Sequence, residues 1–179
     1  MTREYYAGIG SRYTPPDVCT QMTKLAGILG SMGFILRSGG ASGADESFEL
    51  GAKNSQIFLP WNGFRRRYSK HYEPTTKARE IAAKYHPMWK TLDEGARALH
   101  ARNVHQILGP DCDSPSKFVV CWTKDGCNHG LMRTPLTGGT GQAISIASAY
   151  GIPIFNLNRA NCWNSLSKYL DIDLITLLK

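Results

Sequence analysis

At 179 residues, 42% of them hydrophobic, the chain is long enough to bury one sizeable core and reads as a single domain spanning 1–179. Its 21 Lys and Arg against 14 Asp and Glu give a net charge of +7, which biases its partners toward polyanions. Five cysteines without a CxxC pair, no cationic apolar leader and no run near the roughly 20 apolar residues of a membrane span argue against a disulfide framework or a membrane protein, and predict a reduced, cytoplasmic one.

Tyr5 to Ile9 is a short apolar run that predicts a first strand, ending at Gly10. Pro15-Pro16-Asp17 then opens a helix in which Val18, Met22, Leu25, Leu29 and Met32 form one stripe facing a sheet, and Gly33 stops it. Phe34-Ile35-Leu36 predicts the second strand. It runs into Arg37-Ser38-Gly39-Gly40-Ala41-Ser42-Gly43-Ala44-Asp45, where Ser42 and Asp45 have the spacing of a capping box for a helix carrying Phe48 and Ala52. Ile57-Phe58-Leu59, closed by Pro60, is a third strand.

From 61 to about 87 the alternation breaks into an insertion rich in Arg, Lys, aromatics and proline, with one short helix over Thr76 to Lys84. Leu92, Ala96, Leu99 and Ile107 mark a long helix, with Asn103 on the same stripe. Phe118 to Trp122 is a strong strand, and Thr123 to Leu136 reads as a polar loop. Thr137-Gly138-Gly139-Thr140-Gly141-Gln142 opens a helix whose buried side is Ala143, Ile144 and Ala147, before a last strand at Pro153-Ile154-Phe155 and a terminal helix turned inward at Trp163, Leu166 and Leu170. Strands and helices alternating in short units predict an α/β fold: Rossmann-like, doubly wound, a mainly parallel sheet with helices on both faces.

A strand that passes through glycines into a helix points unpaired N–H groups and the positive end of a helix dipole at one spot, which suits phosphate. Two such runs imply a ligand with phosphates, or a backbone of them. Asp45 is awkward for an anion site and reads foremost as a cap, with a hydroxyl or base contact or an acid/base role as alternatives. A nicotinamide site is disfavoured, because Gly8-Ile9-Gly10-Ser11-Arg12 lacks the third glycine and Arg37 stands where the ribose-binding acid belongs. Arg12 and Arg37, each just past a strand end, are instead expected beside the cradle, where guanidinium forks bind oxyanions. In the insertion, Arg65, Arg66, Arg67, Lys70 and His71 alternate with Trp61, Phe64, Tyr68 and Tyr72. That mixture equally suits bases stacked on rings or a solvated basic turn. His100 and His105 read as surface or helix-flank histidines, and Cys121, Cys127 and His129 fit no zinc spacing, so no metal is expected.

Four segments in order resemble the Rossmann-like domain of the DprA (Smf) family, within the superfamily that joins it to LOG-type nucleotide-binding proteins. They are Gly10-Ser11-Arg12, Ser38 to Asp45, Ala101-Arg102-Asn103 through Gly109, and Gly138-Gly139-Thr140-Gly141. The compact length is similar to that of single-domain DprA-like proteins often encoded by bacteriophages. The resemblance implies a protein that binds single-stranded DNA or a nucleotide in a bacterial or phage-infected cell, in DNA processing or recombination, without a cofactor. Its phosphate and nucleotide site would draw on Ser11, Arg12, Arg37, Ser38, Gly39, Gly40, Gly43, Asp45, Arg102, Asn103, Gly138, Gly139, Thr140, Gly141 and Gln142, with Trp61, Arg65, Arg66 and Lys70 as a basic stacking loop. The flanking domains of bacterial DprA have no room here. LOG-type phosphoribohydrolases carry a glutamate where this chain has Ile144 and Ser145, so cleavage of a nucleotide would have to use Asp45 or Glu46. A protein that sequesters a nucleotide signal is a further alternative with the same binding chemistry. Homo-oligomers are expected by analogy, through a sheet face or the helix around Trp163.

Overall fold

The computed structural model describes residues 3–178. Six strands, β1 (Glu4–Gly8), β2 (Phe34–Ser38), β3 (Ser55–Leu59), β4 (His71–Tyr72), β5 (Val119–Cys121) and β6 (Ile154–Asn156), lie parallel in the order β4-β3-β2-β1-β5-β6. The chain winds outward from β1 to one side through β4, then returns past β1 to add β5 and β6 on the other. The order therefore reverses between β1 and β5, and loops leaving the carboxyl ends of those strands diverge and open a crevice.

Alternation along the strands sends neighbouring residues to opposite layers. Tyr6, Leu36, Phe118 and Val120 face a layer built by α1 (Pro16–Ser31), α2 (Ala44–Gly51), α6 (Cys162–Leu170) and α7 (Leu174–Leu177). Ala7, Val119 and Cys121 face α3 (Thr76–Tyr85), α4 (Glu94–Leu108) and α5 (Thr140–Ala149), which meet the sheet largely through alanines and branched residues. Gly8 has no room for a side chain: a Cβ there would lie 2.6 Å from the Phe48 ring. That close approach brings α2 down onto β1.

The α/β architecture, the insertion helix and the stripe of α1 through Met22, Leu25 and Leu29 follow the sequence expectation. Several local expectations do not hold. The Ser42–Asp45 capping box does not form; Gly43, at φ 77°, occupies the N-cap, a left-handed position that Ser42 could not fill without strain. The long helix starts after Leu92, because the Asp93 carboxylate accepts the Ala96 amide at 2.7 Å and sets the first turn there. Its buried stripe is Ala98, Ala101, Val104, Ile107 and Leu108. Thr123 to Leu136 contains two short 3-10 turns, Gly130–Met132 and Pro135–Thr137, and β4 and α7 are additional elements. Among the described residues no helix is long and apolar enough to cross a membrane.

Arg37 is also placed differently. The second strand continues to Ser38, so Arg37 lies inside it, 1% exposed. Its Nε donates to Gln56 Oε1 at 2.9 Å, its Nη1 to the Ser114 carbonyl at 2.5 Å, and its guanidinium lies 4.0 Å from the centre of the Tyr5 ring. Burial lowers its pKa to about 10. This arginine is a structural tie, not part of an oxyanion cradle. Arg37→Met strands the Gln56 and Ser114 acceptors, and we expect urea unfolding to show a loss of about 2–4 kcal/mol.

Candidate functional site

The crevice at the β1/β5 reversal is a cavity of about 770 Å³. Four segments meet in it: the turn after β1 (Gly10 to Tyr13), the loop after β2 (Ala41 and Asp45), the middle of α4 (Arg102 and Asn103 among others) and the turn into α5 (Leu136 to Thr140). Two residues after β5, Trp122 and Lys124, close it. The two glycine loops, almost a hundred residues apart in sequence, thus open onto one space.

The turn after β1 is held by its own backbone. The Ser11 amide donates to the Trp122 carbonyl at 3.2 Å, and the Ser11 carbonyl receives the amides of Thr14 and Ala44, each at 3.3 Å, so this turn and the start of α2 move as one piece. Arg12 and Tyr13 are left pointing outward. The Arg12 guanidinium has no carboxylate partner among the described residues, and Tyr13 is 88% exposed.

The loop after β2 is organised by a buried pair. Arg102 reaches from α4 to donate to the Gly39 carbonyl, with its Nη1 3.8 Å from Asp45 Oδ2. Asp45 Oδ2 also accepts the Ala41 amide at 3.2 Å, and the nearby Gly39 amide favours the same carboxylate's charge. Burial pushes the Asp45 carboxyl up to about 6, opposed only in part by Arg102 and the two amides, and burial likewise lowers Arg102. Desolvation thus costs each partner more than attraction at 3.8 Å returns. Arg102 Nε, sealed from solvent, has no hydrogen-bond partner. Gly39 is glycine because Arg102 occupies the place of its side chain, and Gly43 because Ser11 and Arg12 carbonyls lie against it. Gly40, at φ 68°, lends its carbonyl to Arg65 at 3.2 Å. Ser38 Oγ donates to the Gly8 carbonyl at 2.7 Å. These four residues shape the loop; Ala41 and Asp45 are its cavity wall.

The turn into α5 is built on Asp125, within the Thr123 to Leu136 segment whose sequence reads as a polar loop. Its carboxylate accepts the hydroxyls of Thr123 at 2.8 Å, Thr134 at 2.6 Å and Thr137 at 2.5 Å. Burial works against its ionisation, but these bonds and the Cys127 amide outweigh it and hold the carboxyl at about 2. The Thr134–Thr137 capping box then fixes the turn. Beyond it the amides of Gly138, Gly139 and Thr140 have no protein partner among the described residues, at the positive end of ten-residue α5. Gly138 needs its freedom, at φ 64°. Gly139 does not: its φ is −62° and a Cβ there would meet nothing within 4 Å. Gly141 is packed beneath Arg133 and Thr137.

Several expected ligand residues do other work. Gln142 is fully buried; it donates to the Ala82 carbonyl at 3.1 Å and meets Asn103 at 3.3 Å and His100 at 3.2 Å, tying α3, α4 and α5 together. Asn103 lies on both this tie and the cavity wall. His100 is a wall residue, not a surface histidine; burial first, then His86 with its ring 4.3 Å away, hold it at about 4, so it is neutral at physiological pH. His105 is buried too, with Nδ1 donating to the Gly109 carbonyl at 2.9 Å and Nε2 accepting the Thr75 amide at 3.2 Å.

The basic insertion loop lies beyond the carboxyl end of β3 and does not line this cavity. Arg65 bonds Gly40 and sits 3.8 Å from Glu46, and Arg67 grips both oxygens of Glu49. Glu46 is therefore outside the cavity, whereas Asp45 is in it. Arg66 and Lys70 are exposed and have no acidic partner among the described residues. Tyr13, Trp122 and Lys124 are cavity residues that the motifs did not single out, although each follows within five residues of a strand end.

The fold is similar to that of DNA processing protein A from Helicobacter pylori, whose structure was described for its single-stranded DNA binding mode, with a TM-score of 0.55 at 17% identity over 99% of this chain and 79% of that one. The likeness establishes the α/β, Rossmann-like fold. No protein-family model and no curated protein matches the sequence.

Because the free amides depend on Asp125, Asp125→Ala should release the turn without disturbing the sheet. Hydrogen exchange should accelerate at Thr137 and Gly141 while β1 amides stay protected, with a stability loss of about 1–2 kcal/mol.

Proposed function

We propose that the cavity binds the phosphates of single-stranded DNA or a nucleotide, and that the chain is a DprA-like binding protein acting in DNA processing or recombination. The observation that carries this reading is the convergence of the unpartnered amides of Gly138, Gly139 and Thr140 with Arg12 and Arg102 on one cavity. Amides at a helix start hold phosphate oxygens, a free guanidinium adds a two-pronged contact, and the exposed Tyr13 ring offers a base a face to stack on. The volume suits a nucleotide. Similarity in fold to a protein known for single-stranded DNA binding favours the polymer.

The Asp45–Arg102 pair makes this binding depend on pH. Above its pKa of about 6 the carboxylate offsets the Arg102 charge; below it the proton neutralises Asp45 and leaves Arg102 uncompensated. Phosphate affinity therefore rises as pH falls through that value, and phosphate binding takes up a proton.

A second reading, cleavage of a nucleotide at its glycosidic bond, is favoured by one observation, an acid of pKa about 6 on the cavity wall. Free base appearing by chromatography after incubation with nucleoside monophosphates, and lost in Asp45→Asn, would establish it. Sequestration of a nucleotide signal in phage-infected cells rests on the same contacts and differs only in ligand.

Anisotropy titrations with a labelled deoxyoligonucleotide test the main reading. Affinity should fall steeply with salt, Arg12→Ala should reduce the slope of log K against log salt by about 1, and Gly139→Asp, which puts a carboxylate among the amides, should weaken binding by roughly tenfold or more. Asp45→Asn should flatten the pH profile at the level wild type reaches in acid. A flat salt response with tight mononucleotide binding would instead assign the site to a small ligand.

A further inference from the structure

A smaller cleft of about 340 Å³ lies past the carboxyl ends of β3 and β4, and α4 contributes to both spaces: Glu94, Gly95 and Ala98 from its first turns to this cleft, its middle to the larger cavity. Trp61 and Tyr72 bracket the cleft, 42% and 48% exposed. We infer that it is a second subsite, which takes one unstacked nucleobase of a single strand whose phosphates run over Arg66 and Lys70. The inference rests on the reading of the chain as a nucleic-acid-binding protein.

Four observations support it. Two large aromatic rings line one cleft while staying outside both hydrophobic clusters; Trp61 is steadied by an edge-on contact with the buried Phe64, 5.2 Å between ring centres, and both rings keep enough exposed face for a base to stack on. Gly95 lies in the first turn of α4 without a positive φ, and a Cβ there would touch only Asp93 Oδ1, at 3.4 Å. The small residue leaves the cleft floor open at the first turn of α4. The charges are sorted as a base and a backbone demand. Inside the cleft stand Glu73, Asn62 and the Arg79–Glu94 ion pair at 2.7 Å, a set that repels phosphate but can accept from the amino groups of a base. Outside it, of the four cations between Trp61 and Tyr72, Arg65 and Arg67 are engaged by Glu46 and Glu49, and Arg66 and Lys70 are left for phosphate. Finally, the loop that carries them is held in shape by consecutive left-handed residues, Arg65 at φ 53° and Arg66 at φ 61°, and by the Arg65 bond to Gly40. It is a fixed wall joined to the rim of the larger cavity.

The cleft lies at β3 and β4 and the cavity at β1 and β5, about three strand spacings or roughly 14 Å apart along the sheet edge, so a strand must be several nucleotides long to engage both. Wild-type protein, Trp61→Ala, Trp61→Phe and Tyr72→Ala are titrated with a nucleoside monophosphate and with deoxyoligonucleotides of increasing length, and thermal melts check that these exposed substitutions leave the fold intact. Wild-type affinity should step up once the strand spans both spaces. Trp61→Ala and Tyr72→Ala should lose that step, roughly 5- to 100-fold, while short ligands bind as before, and Trp61→Phe should keep most of it. Variants indistinguishable from wild type at every length, with Gly139→Asp still weakening binding by roughly tenfold or more, would overturn the subsite and leave the proposed function standing. Wild-type protein that binds neither oligonucleotide nor mononucleotide would overturn both.

Discussion

Arg102 sits on a helix packed against one face of the sheet, yet its guanidinium ends under the loop that leaves β2, where it holds the Gly39 carbonyl and faces Asp45. Neither charge would be tolerated there alone, since an unpaired ion in so dry a place costs several kcal/mol. The pair therefore dictates much around it. Gly39 must lack a side chain, Asp45 must turn back into the loop rather than cap α2, and the Ala41 amide is consumed by a carboxylate. The first glycine loop is thus closed upon itself and contributes charge rather than amides to the cavity.

The second loop has the complementary construction. Asp125 gathers three threonine hydroxyls on the far side of the turn, which satisfies the polar groups of the loop and leaves the amides of Gly138, Gly139 and Thr140 facing the cavity. Two runs that look alike in sequence divide the work: one sets a titratable charge on the floor, the other presents fixed dipoles. The glycines register the division. Gly39, Gly43 and Gly141 are packed against neighbours that exclude a Cβ, whereas Gly139 stands in ordinary helical geometry with nothing opposite it.

Strand order, helix faces and the meeting of two glycine loops at one sheet edge were legible because hydrophobic period and glycine placement are local signals. What the chain hides is where side chains end up. Extending β2 by two residues moves Arg37 from a strand end into the strand, and alternation then sends it beneath Tyr5 toward Ser114. Ser42 and Asp45 have the spacing of a capping box, but the left-handed turn at Gly43 and the pull of Arg102, 57 residues on, override it. His105 owes its burial to partners at Thr75 and Gly109, and β4, two residues long, exists only because β3 is beside it. Asp125 carried no motif; its value lies in three hydroxyls supplied by a turn that reads as irregular.

The net charge of +7 also changes meaning once the partners are known. Arg37, Arg65 and Arg67 are committed to carbonyls or carboxylates within the fold, so they define shape rather than attract a ligand, and Arg102, on the cavity wall, shares its charge with Asp45. Among the described residues, cations without an acidic partner at the carboxyl edge of the sheet include Arg12 and Lys124 at the larger cavity and Arg66 and Lys70 in the insertion loop. A mononucleotide needs only the first pair. Under the proposed function, the second pair, too far along the sheet edge for the same phosphate, would serve an anion that is a chain.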